Sequence, residues 1–210
     1  MAVEPIDFCM QRVPELYREL RAKADQRAAD GDERVRKRIA DVSSASATAR
    51  LIFEGEGGGE VFVASDRGEL RVTRDKPAQP ALKYALSMPV AAARAALARF
   101  TQNLADDAAE RDALPGFASA KADKLFGMYK FAFDVAISAV PEVGDVRVRV
   151  ALGRDLPPAP EFTVKAAYAE LVEGRKRHAG MQELVTSGKI SIVGDTAKAM
   201  MLGMTLTQLR

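Results

Sequence analysis

The residue types that most often carry catalysis or bind metals are scarce in this chain and lie far apart. The single histidine, His178, follows three basic residues, with no cysteine or second histidine near it. A metal site at this position is therefore not predicted, and a solvated loop residue is expected. The single cysteine, Cys9, lies between Phe8 and Met10 in a predicted helix, where a buried small hydrophobe is expected in place of a nucleophile.

Two glycine-containing sequences resemble phosphate-binding loops but lack the necessary context. A phosphate loop needs glycines that lead into the N-terminus of a helix. The run Gly55–Gly59 leads instead into a predicted strand at Val61, and Gly188-Lys189 is followed by a predicted strand at Ile190. The nucleophile-elbow and zinc-protease motifs are also missing. We therefore predict no catalytic residues, no metal site, no cofactor and no enzymatic activity.

The chain does contain a cluster of apolar residues near its C-terminus, whose side chains share faces of predicted helices and strands. Methionine is unbranched and adapts to irregular apolar ligands. A buried core would produce the same pattern, so packing stays open as an alternative to ligand binding. The candidate ligand-binding residues are Phe162, Met181, Leu184, Val185, Ile190, Ile192, Met200, Met201 and Met204.

Composition places the chain among ordinary globular proteins. It has 210 residues, 48% hydrophobic and 29% charged, and a net charge of +2. The balanced charge gives no reason to expect a nucleic-acid partner. One cysteine permits no intrachain disulfide, which favours a reducing compartment, so a cytoplasmic location is expected. The N-terminus does not resemble a signal peptide, and a run of about 18 apolar residues, enough to span a membrane, is missing.

Hydrophobic spacing predicts an α+β fold with a mostly antiparallel sheet of five or more strands covered by helices. Helices are expected from Ile6 to about Ala29 and from Asp32 to Val42, and a three-stranded meander follows between Leu51 and Val72. Further strands are predicted at 82–86, 146–150, 162–164 and 190–193, and helices at 89–104, 168–173, 181–186 and 196–204. The apolar segment 125–137 fits either a strand or a buried helix, and segment 105–119 is predicted to be a loop or a partly helical connection.

The expected domain organisation has two parts. Residues 1–48 form N-terminal helices that pack on a main α+β domain, residues 49–210. An order of strand, turn, proline, strand and helix follows Gly59 and recurs after Gly144. Segment 101–158 is accordingly predicted to be an insertion or a partial duplication, with simple reuse of a common unit as the alternative.

One segment near the C-terminus resembles the C-terminal signature of the sterol carrier protein type-2 (sterol-binding) family. Its sequence is Glu183-Leu-Val-Thr-Ser-Gly-Lys-Ile-Ser-Ile-Val-Gly-Asp-Thr-Ala-Lys-Ala-Met-Met-Leu202. The strand from Pro160 and the helix that ends at Gly174 are similar to the element that precedes this signature. Segment 51–72 would correspond to the opening strands of the family. Lys198 departs from the family pattern, which usually has an apolar residue there.

The resemblance implies a sheet covered by helices, with a tunnel between them that binds sterols, fatty acyl chains or isoprenoids without chemistry. We therefore expect a carrier or presenter of an apolar, lipid-like molecule. Transient membrane contact is compatible with this role. The alternative is a protein-interaction or accessory module of the same fold, whose core is filled by its own side chains.

Overall fold

The computed structural model describes residues 4–103, 119–177 and 181–209, and the side chains of all of these except residues 100–103, 175, 181, 182 and 207–209. The helices are α1 (Pro5–Asp7), α2 (Val13–Ala29), α3 (Glu33–Ser43), α4 (Val90–Asn103), α5 (Ala120–Met128), α6 (Tyr168–Lys176), α7 (Met181–Thr186) and α8 (Thr196–Leu209). The strands are β1 (Ser46–Glu54), β2 (Gly59–Asp66), β3 (Glu69–Thr73), β4 (Leu82–Pro89), β5 (Phe131–Val140), β6 (Gly144–Leu152), β7 (Phe162–Ala167) and β8 (Ile190–Gly194).

The N-terminal helical region confirms the prediction from hydrophobic spacing and adds one irregular turn. A π-helical turn, Phe8–Arg12, joins α1 to α2, and Pro14 lies in the first turn of α2. Proline fits there because its missing N–H would have no partner within the helix. The Asp32 side chain accepts a hydrogen bond from the Val35 N–H and so caps α3.

The eight strands form one mixed sheet in the order β3-β2-β1-β4-β6-β5-β7-β8. Five neighbouring pairs are antiparallel, and two pairs, β1 with β4 and β5 with β7, are parallel. The α+β class and the three-stranded meander are as predicted. The sheet is less uniformly antiparallel than expected, because the loops before β4 and β7 return the chain beside β1 and β5 in the same direction.

The two faces of the sheet differ in chemistry. One face, which we call the helical face, carries residues such as Ala49, Phe133, Phe162 and Ile190 and packs against side chains from the helices. The other face, which we call the polar face, carries charged residues such as Arg149 and its partner Asp134. Successive side chains of a strand point to opposite faces, so the pairing register assigns each residue to one of them.

The loop between β6 and β7 crosses part of the polar face. Leu156 packs against a cluster of three buried alanines, one each from β4, β5 and β6. Asp155 forms an ion pair with Arg50 at 3.3 Å, and the Arg149 guanidinium donates to the Pro158 carbonyl at 3.1 Å. The loop therefore covers the centre of this face and leaves the region over the ends of β5 and β7 open.

The pairing register repeats between the two halves of the sheet. Ala49 of β1 pairs with Val63 and Tyr84, and Phe133 of β5 pairs with Val150 and Phe162. In each case a hairpin is followed by a parallel strand that runs directly into a helix, α4 or α6. We call α1–α4 with β1–β4 the N-terminal half, and α5–α8 with β5–β8 the C-terminal half. The predicted partial duplication is compatible with this repeat and stays a prediction.

The segment that fitted either a strand or a helix contains both. Helix α5 ends at Met128 and β5 begins at Phe131, so a two-residue connection separates them. The predicted connection at 105–119 lies outside the described residues except for Ser119, whose side chain accepts from the Ala122 N–H and caps α5. In the described part of the chain, no helix is both long and apolar enough to cross a membrane.

Candidate functional site

The residues predicted to line a ligand site divide into a buried group and an exposed group. Phe162, Leu184 and Ile190 are buried in the core of the helical face, and Val185 and Ile192 are half-buried beside them. Met200, Met201 and Met204 have exposed fractions of 51%, 37% and 63%. The side chain of Met181 lies outside the described residues. The structure therefore brings five of the nine together around β7, α7 and β8.

A stacked pair of aromatic rings forms the centre of this buried group. The rings of Phe133 and Phe162 are parallel within 1°, with centroids 5.2 Å apart. The parallel pairing of β5 with β7 places the two residues side by side on the helical face. Leu184 of α7 lies so close to Gly174 of α6 that a Cβ at Gly174 would be 3.0 Å from it. Close contacts of this kind fix α6 and α7 against the sheet.

Helix α8 contacts the rest of the protein mainly through small and medium-sized side chains. Its buried residues are Ala199, Leu202 and Thr205, whereas its methionines lie on the exposed side. The Thr205 hydroxyl donates to the Met201 carbonyl of the same helix at 2.8 Å and so does not tie α8 to the sheet. A surface helix normally has a polar outer face, and a helix that is apolar all round is typical of a buried position.

The first turn of α8 is anchored at the start of β7. The Asp195 N–H donates to the Glu161 carbonyl at 3.1 Å, and the Lys198 ammonium donates to a Glu161 carboxylate oxygen at 2.6 Å. Gly194 precedes the helix with φ +104°, and a Cβ there would be 2.7 Å from the Glu161 carbonyl oxygen. Only glycine fits this close approach.

The anchor residue Glu161 has a perturbed acidity. Partial burial opposes its ionisation, but hydrogen bonds from Lys198 and from the Ala132 N–H outweigh this effect, and the pKa of Glu161 lies below its ordinary value. Sequence reasoning did not find this residue, although it noted Lys198 as a departure from the family pattern. That lysine was the only signal of the pair, because its partner lies far away in the sequence.

A groove of about 520 Å³ opens on the polar face of the C-terminal half, over the ends of β5 and β7. Its walls include Arg147 and Lys165, and its floor includes Ala136 and Ser191. None of the predicted ligand-binding residues lines it. The groove and the predicted apolar site therefore lie on opposite faces of the sheet.

The side chains predicted to be chemically inert have these surroundings. Cys9 is buried against Ile6, Phe53 and Val61, and burial raises the pKa of its thiol to about 11. A thiol of this kind is neutral at physiological pH and is a poor nucleophile. His178 lies outside the described residues. Among the residues that the structure describes, no group of three or more His, Cys, Asp or Glu side chains is arranged to hold a metal ion.

Comparison with protein families identifies the C-terminal half. Residues 118–207 match the model of the SCP-2 sterol transfer family. Comparisons with curated proteins and with solved structures give no match. The match includes β5 and β6, whereas the sequence prediction assigned the opening strands of the family to segment 51–72. The resemblance predicted from the sequence is confirmed over residues 118–207, which are similar to the SCP-2 sterol transfer family.

Proposed function

We propose that the chain binds an apolar, lipid-like molecule between the helical face of its C-terminal half and helix α8, and that it carries or presents this molecule without chemistry. Sterols, fatty acyl chains and isoprenoids are the ligand classes that fit the proposal. The match of residues 118–207 to the SCP-2 sterol transfer family supports lipid binding or transfer in general. The specific lining by Phe162, Leu184, Ile190 and the methionines of α8 is part of the proposal.

The distribution of exposed apolar side chains carries the proposal. All large hydrophobic side chains that are exposed in the described part of the chain belong to the C-terminal half. They are Met128, Tyr129, Val193, Met200, Met201, Met204 and Leu206. Contiguous exposed apolar surface usually marks a place where another molecule binds. Four of the seven lie on α8, whereas Val193 lies on the polar face of β8.

Displacement of α8 provides the route for entry in this proposal. The helix is anchored by Glu161 at its first turn, and beyond that turn its buried contacts come from Ala199, Leu202 and Thr205. If α8 moves away from β7 and β8, the side chains of Phe162 and Ile190 become accessible to a ligand, and the methionines gain apolar contact with it. Burying apolar area contributes roughly 25 cal/mol per Å², so even partial enclosure gives useful affinity.

Titration of delipidated protein with cis-parinaric acid and with dehydroergosterol tests this proposal. Ala199→Leu places a larger side chain between α8 and the sheet, and we expect at least a tenfold loss of affinity for the probe that binds. The matched control is Ala93→Leu in α4, which is equally buried but lies in the N-terminal half. Overpacking destabilises both variants by about 1–3 kcal/mol, so stability alone does not separate them. Equal affinity in the two variants would contradict the proposed location.

A charge on the methionine surface gives a second test. Met200→Asp is expected to abolish probe binding, because a carboxylate beside an apolar ligand is costly to desolvate. Thr73→Asp, at an exposed position of β3, adds the same charge in the N-terminal half. We expect it to leave the titration unchanged. Saturation of Met200→Asp at the affinity of the unmodified protein would count against the role of α8.

One observation favours a second function, an interaction or accessory module with a filled core. The helical face is continuously packed, with Phe133 and Phe162 stacked at its centre. If neither probe binds and native mass spectrometry detects no co-purified lipid, the exposed surface of α8 is better explained as a contact for a partner protein.

A further inference from the structure

The groove on the polar face has the size of a small-molecule site. Its volume of about 520 Å³ lies within the range of roughly 300–1,000 Å³ that is usual for ligand pockets. The floor consists of small side chains, among them Ala136, Ala167 and Ser191, and two long cationic side chains, Arg147 and Lys165, flank it. The loop that covers the centre of the polar face does not line this groove.

The pairing register places the two cations on either side of one alanine. Ala136 of β5 pairs with Arg147 of β6 and with Lys165 of β7. All three side chains therefore point to the same face. Neighbouring strands are about 4.8 Å apart, so the two cationic residues begin about 10 Å from each other. An anion that lies above Ala136 is within reach of both.

Arg147 and Lys165 are not held by a close acidic partner among the described residues, so both can bind a ligand. Within the described residues, Lys165 has no ion-pair partner. Arg147 is 66% exposed, and it lies 3.8 Å from an oxygen of Asp134. Both oxygens of Asp134 already accept hydrogen bonds from Arg149, at 2.8 and 3.2 Å.

The other charged groups at the rim are engaged elsewhere. The ammonium of Lys189 lies 2.7 Å from Glu170 and 3.4 Å from Glu173. Asp145 is the one acidic residue that lines the groove, and one of its oxygens accepts the Ala139 N–H at 3.0 Å. This carboxylate closes one end of the groove to anions and restricts the anionic group to the space between Arg147 and Lys165.

The N-terminal half shows that the cation pair does not follow from the fold itself. Ile52 holds the equivalent position to Ala136, three residues after Ala49 as Ala136 is three residues after Phe133. Ile52 pairs with Glu60 and Ser87. A large side chain thus occupies the floor, and an acid and a hydroxyl replace the two cations. The small floor residue flanked by two cations is therefore not repeated at the equivalent position of the N-terminal half.

From this arrangement we infer that the groove binds a phosphomonoester group. A phosphate dianion has three terminal oxygens, enough to accept hydrogen bonds from a forked guanidinium and an ammonium at the same time. The hydroxyls of Ser138 and Ser191 also line the groove and supply neutral donors. The group is carried either by a small soluble molecule or by a lipid with a phosphomonoester headgroup, and the chemistry of recognition is the same for both.

Isothermal titration of the full chain with glycerol 3-phosphate, at constant ionic strength, tests the inference. We expect saturable binding, at least a tenfold weakening in Lys165→Gln and in Arg147→Gln, and a similar weakening in Ala136→Ile, which fills the floor without a change of charge. The control Arg71→Gln removes one cation from an exposed position of β3, and its affinity should equal that of the unmodified chain. Equal losses of affinity in Arg71→Gln and Lys165→Gln would overturn the inference. Absence of saturable glycerol 3-phosphate binding would also overturn it if vesicles that contain phosphatidic acid fail to bind the chain.

Sedimentation with vesicles distinguishes the two sources of the phosphate. One set contains phosphatidylcholine alone, and the other contains phosphatidylcholine with phosphatidic acid. Binding to the second set that is lost in Lys165→Gln and in Ala136→Ile assigns the phosphate to a lipid headgroup. Binding of glycerol 3-phosphate without vesicle binding assigns it to a soluble molecule. Vesicle binding that persists in both variants, without binding of glycerol 3-phosphate, overturns the inference.

Discussion

The N-terminal and C-terminal halves share one pairing register but differ in what fills it. On the helical face, Ala49 and Tyr84 hold the positions that Phe133 and Phe162 hold in the other half. On the polar face, neither pairing neighbour of Ile52 is a cation, whereas both pairing neighbours of Ala136 are. The backbone arrangement is thus repeated, while the residues that would contact a ligand differ.

The helices of the two halves differ in the same way. In the N-terminal half, Ile6 and Cys9 near the start of the chain are buried against β1 and β2, together with Val90 and Ala93 of α4. In the C-terminal half, α8 packs against the rest of the protein through Ala199, Leu202 and Thr205, and its methionines are exposed. In our proposal, the N-terminal half supports the sheet and the C-terminal half provides the surfaces for binding.

The largest effect is expected from the aromatic pair, and it tests whether the sheet of the C-terminal half is itself loosely packed. Phe162 is 2% exposed and stacked on Phe133. Phe162→Ala should lower the free energy of unfolding by about 4 kcal/mol, because it creates a large cavity. Phe53→Ala, a buried phenylalanine of the N-terminal half, is the control and should cost a similar amount. Urea denaturation measures both, and a loss below about 1 kcal/mol for Phe162→Ala would show that this region is not a packed core.

A second comparison concerns equivalent charged positions on the polar face. Asp134 is 1% exposed and bonded to Arg149, whereas its counterpart Arg50 is partly exposed with Glu60 and Asp155 as partners. Asp134→Ala leaves Arg149 without its close partner and should cost about 3 kcal/mol. Arg50→Ala should cost less than about 1 kcal/mol, since surface pairs contribute little. Equal costs, measured by thermal and urea unfolding, would mean that burial does not distinguish the two positions.

Much of this comparison was accessible from the sequence, and the missed parts have physical causes. The meander at 51–72 was predicted because its strands alternate and its turns contain glycine. Strand β5 was not separated from α5, since Ala132, Phe133 and Asp134 are all buried and burial on both faces removes the alternation. The sheet order of the C-terminal half was also beyond reach, because the parallel pairing of β5 with β7 joins distant segments.

The candidate site was predictable in composition and not in orientation. The spacing of Leu184, Ile190 and Ile192 indicated a shared apolar surface, and these residues lie together. The apolar residues of α8 are distributed around the helix, so its sequence did not indicate that Ala199 and Leu202 would face the sheet and that Met200 would face outward. The cation pair over Ala136 was missed because it depends on the cross-strand register, which a single sequence does not display.

Helix α8 is expected to open locally more readily than the N-terminal helices. Cys9 and Leu202 are 5% and 4% exposed, so a thiol at either position is equally protected in the closed state. In a Cys9→Ala background, Leu202→Cys should react with a thiol reagent at least tenfold faster than Cys9 does in the unmodified chain. This factor corresponds to about 1.4 kcal/mol less free energy for local opening. Rates measured at several reagent concentrations, with Thr186→Cys as an exposed reference, give the comparison, and equal rates would contradict displacement of α8.

The smallest effect concerns the ion pairs that anchor α5 and α8, in which the charges of strand and helix are reversed. Lys83 precedes Tyr84 and binds Asp123 of α5, whereas Glu161 precedes Phe162 and binds Lys198 of α8. Because the pKa of Glu161 is lowered in the folded state, its contribution is fully present above the ordinary carboxyl pKa and is lost as the pH falls through the lowered value. We expect Glu161→Gln to reduce the free energy of unfolding by about 1 kcal/mol at pH 7, and by less as the pH falls below about 4.

Urea denaturation of the unmodified chain and of Glu161→Gln between pH 7 and pH 3 measures this difference. Lys83→Met is the matched control, because it breaks the corresponding anchor of α5 without removing a carboxylate. If the difference between the unmodified chain and Glu161→Gln stays constant down to pH 3, the carboxylate does not anchor α8 through its charge. If Glu161→Gln also accelerates labelling of Leu202→Cys at pH 7 and Lys83→Met does not, the anchor at Glu161 controls the opening of α8, because only that anchor joins the helix to the sheet.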